Sequence, residues 1–395
     1  MHKKEGNAFL ILLALWLMVF AASSQVIIIA PILPRIGEAL QVTEALLGLL
    51  GTAYALLLFV FALITGPVSD KIGRRSILLI GCGSMAIALG LHAFADNFWA
   101  LLTVRSLAGA AGGILSGSAV AYVGDYFPYE RRGWASGWVM SGIAFGQILG
   151  IPIGTILADQ YDYRMPFTAF AGVMTVAFLV VCFFVPQPGV KRDTRVLTLK
   201  RALRNYGRLL LQRDPAGAVA AYILMFLGYG LYVYYLPLWL EGDVGLTGTQ
   251  VASLFLVGGL GNVVASPVAG RLSDRIGRKP VVAFACFGLG ALVLVTTVVV
   301  VDLITAYVLF GAAMILGTIR ISPLQALMTA IVPEQKRGIL MSLSVAMGQL
   351  AFGLGSALAG LTYTAWGYAS NTVAAALCIV LMAVVVSFVM SEPDI

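Results

Sequence analysis

Long apolar runs that alternate with short polar segments are the main feature of the chain. Twelve such runs follow one another, and each has about 20 residues or more, the length that a helix needs to cross the hydrocarbon of a bilayer. The predicted spans are residues 8–34, 45–68, 76–95, 98–122, 134–157, 166–185, 215–239, 249–269, 280–300, 303–327, 338–363 and 370–391. Because only helices satisfy their own backbone hydrogen bonds in lipid, the pattern predicts an all-α membrane protein with 12 transmembrane helices.

Composition supports the same class of protein. Hydrophobic residues make up 60% of the chain and charged residues 11%, and no soluble globular protein could bury so much apolar surface. The net charge of +7 comes from short clusters between the apolar runs, so nucleic acid is not an expected partner. The first run continues past Ser24 to Pro34, about twice the length of a signal-peptide core, which predicts an uncleaved first span.

The distribution of cations predicts the orientation. With the amino terminus placed inside, 21 of the 25 Lys and Arg residues fall on the inner side of the predicted spans. The excess of cations on the cytoplasmic side of membrane proteins therefore predicts that both termini are cytoplasmic. The largest inner segment, residues 186–214, is basic, and within it Leu199, Leu203, Tyr206 and Leu210 recur at the spacing of a helix that lies along the headgroups.

An internal repeat divides the chain into two halves. The segment GPVSDKIGRR, Gly66 to Arg75, returns 204 positions later as GRLSDRIGRK, Gly270 to Lys279. Six predicted spans precede the basic linker and six follow it, so the two copies share one orientation. We therefore predict two parallel, pseudo-symmetric six-helix bundles, residues 1–185 and 215–395, joined by the linker 186–214.

These two segments, which we call the signature hairpins, resemble the signature loop of the major facilitator superfamily. The matching residues are Gly66, Asp70, Lys71, Gly73, Arg74 and Arg75 in the first half, and Gly270, Asp274, Arg275, Gly277, Arg278 and Lys279 in the second. The resemblance implies the major facilitator fold and transport by alternating access. The residues themselves also predict a conformational latch, because Asp70 and Asp274 can attract the positive end of a neighbouring helix and pair with a cytoplasmic arginine. The candidate partners are Arg337 for Asp70, and Arg131 or Arg132 for Asp274. The alternative is that both hairpins only hold tight turns.

A narrower resemblance is to the drug and proton antiporter branch of that family. The fourth span carries Arg105 followed by small residues at 109, 112 and 113. The fifth span carries a ladder of small residues that is similar to the branch's glycine-rich motif, namely Gly142, Gly146, Gly150, Pro152 and Gly154. The ladder predicts a helix contact surface, and the resemblance implies that it seals the site against ion leak.

Charged and polar residues within the spans are the candidates for binding and coupling. All 18 carboxylates lie in loops or at span ends, with Asp125 nearest to a span interior, whereas Arg105 and Arg320 lie inside spans. Buried arginines usually face a wet cavity or a substrate, although Arg105 could be a structural hub. The further candidates are Gln25, Tyr54, Gln147, Tyr229, Tyr232 and Gln349, each of which could instead pack between helices. We expect Tyr234, Tyr235 and Trp239 to anchor at the outer interface.

Three functions are compatible with these features. The first is a proton-coupled exporter of amphipathic small molecules, the second a transporter of organic anions that uses Arg105 and Arg320, and the third a membrane receptor or scaffold. No enzyme constellation, cofactor motif or metal-ligand spacing is present in the sequence. We expect a monomer in the bacterial inner membrane, with a small amphipathic or anionic molecule and protons as partners.

Overall fold

The computed structural model describes residues 7–188 and 199–392. Apart from a 3-10 turn, His92–Phe94, and a π-helical segment, Gly146–Gly150, the regular structure of these residues consists of eighteen α-helices. They are α1 Ala8–Ile27, α2 Ile29–Leu40, α3 Glu44–Ile72, α4 Arg74–Leu91, α5 Phe98–Leu115, α6 Ser118–Tyr126, α7 Tyr129–Phe145, α8 Ile151–Gln160, α9 Met165–Phe184, α10 Leu199–Leu210, α11 Arg213–Val233, α12 Leu236–Gly242, α13 Gly248–Ile276, α14 Arg278–Val299, α15 Leu303–Ile319, α16 Ile321–Ala330, α17 Glu334–Trp366 and α18 Tyr368–Phe388.

Twelve stretches in the described part of the chain are long and apolar enough to cross a membrane. The predicted number of spans and the all-α membrane fold are therefore confirmed. The first stretch is Ala8–Ile27 and the last is Tyr368–Phe388. A helix also forms at α10 in the predicted linker, although residues 189–198 lie outside the described part.

The chain forms two compact units. Among the described residues, the first unit lies within Met1–Leu40 and Ala53–Leu199, and the second lies within Gln41–Thr52 and Lys200–Ile395. The predicted first bundle includes residues 41–52, whereas in the structure these residues group with the second unit. Helix α3 is consequently shared: its first turns belong to the second unit and the remainder belongs to the first.

The same helix packing recurs within each unit. In the first unit α1 packs on α7 and α9, and α4 packs on α5 and α9. In the second unit α11 packs on α17 and α18, and α14 packs on α15 and α18. These are corresponding spans of the two sequence repeats, so the repeat is reproduced in the tertiary structure of each unit.

Prolines determine where several spans are interrupted. A proline lacks the N–H that would bond the carbonyl four residues earlier, and its ring clashes with that carbonyl. Pro31, Pro237 and Pro323 each stand four residues after the end of a helix, and those helices end at Ile27, Val233 and Ile319. The first, seventh and tenth spans are thus interrupted after Ile27, Val233 and Ile319, respectively.

Glycine and helix caps shape the turns between spans. Gly73 and Gly277 have φ of 98° and 96°, a region that side chains with a Cβ rarely adopt, so both signature hairpins require glycine at this turn. At another turn, Asp302 accepts a hydrogen bond of 2.8 Å from the backbone N–H of Thr305 and caps α15. Hydrogen bonds from Thr305 lower the pKa of Asp302 below its ordinary value.

Two loop arginines are neutralised inside the first unit. Arg35 Nε lies 2.6 Å from Asp159 Oδ1, and Arg164 Nη1 lies 2.9 Å from Asp96 Oδ1. These two arginines are the only cations that the predicted orientation assigns to outer loops.

Candidate functional site

A buried network joins three helices of the first unit. Arg105 on α5 is 1% exposed, and its Nη1 donates to Gln25 Oε1 at 2.9 Å and to the Gln25 carbonyl at 3.3 Å. The Gln25 amide in turn donates to the Tyr54 hydroxyl at 3.0 Å. Three residues that the sequence offered as separate candidates, from α1, α3 and α5, therefore form one hydrogen-bonded cluster.

Small residues after Arg105 allow this network to close. A Cβ at Gly109 would overlap the Tyr54 carbonyl, and a Cβ at Gly112 would lie 2.5 Å from the Tyr54 hydroxyl. The close approach places the Arg105 guanidinium carbon 4.8 Å from the centre of the Tyr54 ring and 5.6 Å from that of Phe167. Cation–π contacts thus add to the hydrogen bonds that hold the buried charge.

His92 extends the same cluster and was not among the candidates from the sequence. It is fully buried, its ring stacks on Phe167 with centroids 4.2 Å apart, and Nδ1 lies 2.8 Å from the Ala88 carbonyl. Nε2 has no hydrogen-bond partner in the part of the chain that the structure describes. A lone histidine in an apolar run carries no periodic or motif signal, and only the packing of the 3-10 turn His92–Phe94 on α5 and α9 reveals its neighbours.

The second unit holds a different arrangement around Arg320. This residue lies between α15 and α16, at the break imposed by Pro323, and is 5% exposed. Its Nε donates to the Gly317 carbonyl at 3.3 Å, and Nη1 contacts Met382 Sδ at 3.8 Å. A buried guanidinium therefore sits among weak and neutral acceptors.

Arg320 forms part of the wall of a cavity of about 40 Å³ within the second unit. The wall also contains Tyr229 and Tyr232 from α11, two of the predicted binding residues. The Tyr232 hydroxyl is 3.2 Å from Thr296 Oγ1. The remaining wall is mainly aliphatic and includes Leu289, Val293, Ala313, Met314 and Ile379.

Other predicted residues lie apart from these two clusters. Gln147 is half-buried in the π-helical segment of the first unit, and Gln349 is half-buried in α17 of the second. The glycine ladder faces α1: a Cβ at Gly142 would lie 3.0 Å from the Trp16 carbonyl, and one at Gly146 would lie 3.1 Å from Ser24 Oγ. Cβ atoms at Gly150 and Gly154 would overlap the side chains of Ser24 and Ile28.

The prediction that Tyr234, Tyr235 and Trp239 of span seven anchor at an interface is wrong. Tyr234 and Tyr235 are fully buried, and Trp239 is 7% exposed and stacks on Tyr368 with centroids 5.0 Å apart. The hydroxyl of Tyr235 donates to the Glu44 carbonyl in the same unit. The chain turns at the break before Pro237, and these rings face protein instead of an interface.

The first signature hairpin is tied to the end of the fourth span. Arg74 Nε lies 2.6 Å from Asp125 Oδ2, and Arg74 Nη1 donates to Ser69 Oγ at 2.7 Å. Asp125, the carboxylate nearest to a span interior, is thus an ion-pair partner of the hairpin. The surroundings of Gly66 and of the Asp70 side chain lie outside the described residues.

Two of the three arginines proposed as latch partners, Arg132 and Arg337, each contact a carbonyl of their own unit. Arg132 Nε donates to the Phe127 carbonyl at 3.0 Å, and Arg337 Nε donates to the Thr329 carbonyl at 2.8 Å. Asp274 is exposed. A Cβ at Gly270 would make only an ordinary contact, 3.5 Å from Ser322 Oγ. The latch between these residues stays a prediction.

Residues that follow the last span of each unit cap the helix after each signature hairpin. Gln187 Oε1 accepts from the backbone N–H of Arg75 at 3.1 Å. At the corresponding place, Glu392 accepts from the backbone N–H groups of Arg278 at 2.6 Å and Lys279 at 3.4 Å. Each side chain satisfies donors that the first turn of a helix leaves open, and the Glu392 carboxylate also suits the positive end of the helix dipole.

We expect Glu392→Ala to lower the stability of the second unit by about 0.5–2 kcal/mol, because two helix N–H groups lose their acceptor. Glu392→Gln, which keeps an oxygen at the same place, should retain most of the stability. Thermal unfolding in detergent measures the effect, and Gln187→Ala is the matched change in the first unit. Equal midpoints for Glu392→Ala and the unchanged protein would contradict the capping role.

Twelve membrane-spanning helices in two repeated units, with buried arginine clusters beside broken helices, are typical of a membrane transporter built from two parallel repeats. A family model described as Major Facilitator Superfamily matches residues 15–241 and 218–394. The chain belongs to the major facilitator superfamily.

Named relatives support this membership. The chain is 28% identical over 371 residues to the uncharacterized MFS-type transporter YwfA of Bacillus subtilis strain 168, covering 93% of this chain and 89% of the relative. It is 30% identical over 334 residues to the multidrug resistance protein MdtG of Proteus mirabilis strain HI4320, covering 80% and 79%. The crystal structure of a D-xylose-proton symporter has the same fold, with a TM-score of 0.77, 17% identity and 98% coverage of both chains.

Proposed function

We propose that the chain is a secondary transporter that works by alternating access and exports amphipathic small molecules in exchange for protons. The observation that carries this proposal is the likeness over four fifths of the chain to a multidrug resistance protein. The broken first, seventh and tenth spans support it, because transporters of this kind form their binding sites at interrupted helices. The 21 inner cations support cytoplasmic termini in a bacterial inner membrane.

Asp125 is the proposed proton-coupling residue. Its carboxylate pairs with Arg74 of the first signature hairpin at 2.6 Å. Protonation would cancel the carboxylate charge and weaken its hold on Arg74, which would link proton uptake to the position of the hairpin. The latch proposed for the two hairpins would then favour one state of the transport cycle over the other. The size of the shift would equal the difference between the contact free energies of the latch in the two states.

Transport by the purified protein in vesicles tests the proposal. We expect saturable flux of a cationic dye that rises when a proton gradient is imposed, and we expect Asp125→Asn to retain flux but to lose its pH dependence. Flux without any response to the gradient would overturn proton coupling. Absence of flux for the dye and for small carboxylates would leave a receptor or scaffold.

An organic-anion transporter is the second candidate, and Arg320 favours it. The guanidinium is buried beside a cavity, and none of the ion pairs found among the described residues includes it. Saturable flux of a carboxylate in the same vesicles, with no flux of the dye, would select this candidate.

A further inference from the structure

The Arg320 side chain is the one buried cation of the second unit whose surroundings, in the described part of the chain, provide no opposite charge. Its contacts are the Gly317 carbonyl at 3.3 Å, the Met382 sulfur at 3.8 Å and the Cys286 thiol. A carbonyl, a thioether and a thiol are weak compensation for a guanidinium with five N–H donors. A buried charge that lacks a partner is strongly unfavourable, so this arrangement calls for a ligand.

The repeat shows that this cation is not needed to break the helix. Arg320 follows the end of α15, and 204 positions earlier Ser116 follows the end of α5. Both residues cap a helix at a break within a span, and in the first unit a small neutral residue followed by Gly117, with φ of 71°, is sufficient. The charge at Arg320 therefore has a role beyond shaping the backbone.

The cavity beside Arg320 has the size and chemistry for one small anionic group. A volume of about 40 Å³ holds roughly three water-sized atoms, which is close to the size of a carboxylate. A guanidinium presents parallel N–H groups that match the two oxygens of a carboxylate. The aliphatic wall of Leu289, Val293 and Ile379 offers no second cation, which disfavours a divalent anion and accommodates an apolar body.

We propose that Arg320 binds a single monovalent anionic group, a carboxylate or its equivalent, in the cavity that it shares with Tyr229 and Tyr232. The two phenol rings form the side of the cavity where a methyl substituent would pack. The anion could come from a transported substrate or from a free ion in solution. Only the first of these sources rests on the proposed transport function.

Calorimetric titration of the purified protein in detergent tests the site without any variant. Acetate and acetamide have nearly the same shape, are small enough for the cavity and differ in charge, so we expect acetate to bind at least tenfold more tightly. Equal binding of the two compounds, or no binding of acetate, would overturn the proposal. Flux of the cationic dye is measured separately, so failed acetate binding with intact dye flux rejects the anion site and leaves the transport function standing.

Variants and competition then assign the site and the source of the anion. We expect Arg320→Gln to weaken acetate binding at least tenfold and Arg320→Lys to weaken it less, while Arg164→Gln, at the start of α9 in the first unit, leaves it unchanged. Chloride that displaces acetate at similar concentrations supports a free-ion site, and acetate binding that resists excess chloride supports a substrate site. Unchanged acetate binding by folded Arg320→Gln protein would place the anion elsewhere and overturn the proposal.

Discussion

Gly48→Val should reduce transport at least tenfold while leaving a folded protein. A Cβ at Gly48 would overlap the backbone carbonyl of Ser356, so the first turns of α3 could not keep their place against α17. The same segment is held by hydrogen bonds from Thr52 Oγ1 to the Gly353 carbonyl at 2.5 Å and from Ser356 Oγ to the Gly48 carbonyl at 3.0 Å. Overpacking of this kind costs about 1–3 kcal/mol.

The effect on transport follows from the division of α3 between the two units. Residues 41–52 pack in the second unit, and from Ala53 onward the same helix belongs to the first. A displacement of its first turns must therefore disturb the packing of the second unit and be passed along the same helix to the residues from Ala53 onward. We expect the population of states to shift by about tenfold or more, because 1.4 kcal/mol corresponds to a factor of ten.

Dye flux in vesicles and thermal unfolding in detergent measure the two consequences of Gly48→Val. Gly311→Val is the matched control, because Gly311 lies inside α15 and a Cβ there would meet nothing within 4 Å. Both variants add the same β-branched side chain to a helix, so propensity effects cancel. Flux that is equal in the two variants would show that the packing of the first turns of α3 is not needed for transport.

Signals that are local or periodic predicted most of the fold. The apolar runs predicted twelve spans because each helix must satisfy its own backbone in lipid. The breaks after Ile27, Val233 and Ile319 were missed, since the predicted spans 8–34, 215–239 and 303–327 run through them. The signal was present, because each break lies just ahead of a proline. Lipid favours continuous helices since these satisfy their own backbone hydrogen bonds, and a proline removes one of those bonds.

Contacts between helices were beyond what the sequence could specify. Gln25, Tyr54 and Arg105 were each recognised as polar residues in apolar runs, but their pairing depends on how α1, α3 and α5 pack. The small residues after Arg105 were the one available hint, because they mark a face that another helix approaches closely. Hydropathy could not place Tyr234 and Tyr235, because in a membrane protein surfaces that face lipid and surfaces that face protein are both apolar.

Gln25→Glu should make transport strongly dependent on pH. The change places a carboxylate where the Gln25 amide oxygen now lies, 2.9 Å from Arg105 Nη1. The present bond already has an ionised donor, and a carboxylate acceptor adds the attraction between opposite charges, so α1 and α5 would be held together more firmly. We expect flux at alkaline pH to fall at least tenfold below that of the unchanged protein.

Recovery at acid pH is the second part of this expectation. Protonation of the introduced carboxylate restores a neutral partner for Arg105, similar to the amide that is present now. Flux measured in vesicles from about pH 8 down to about pH 4, which reaches the ordinary titration range of a glutamate, should therefore approach that of the unchanged protein at the acid end. Gln25→Met, which removes the amide and cannot titrate, should lower flux equally at all pH values.

A double-mutant cycle distinguishes a specific pair from a general effect of a buried charge. If the carboxylate acts through Arg105, the pH dependence introduced by Gln25→Glu should disappear when Arg105→Met is added, and the coupling between the two sites should be about 0.5–3 kcal/mol. A flat pH profile for Gln25→Glu, or additive effects in the cycle, would mean that the contact between α1 and α5 does not change during transport. The wild-type chain, with an amide at this position, must then obtain any proton coupling from a group elsewhere, and Asp125 beside the first signature hairpin is the proposed one.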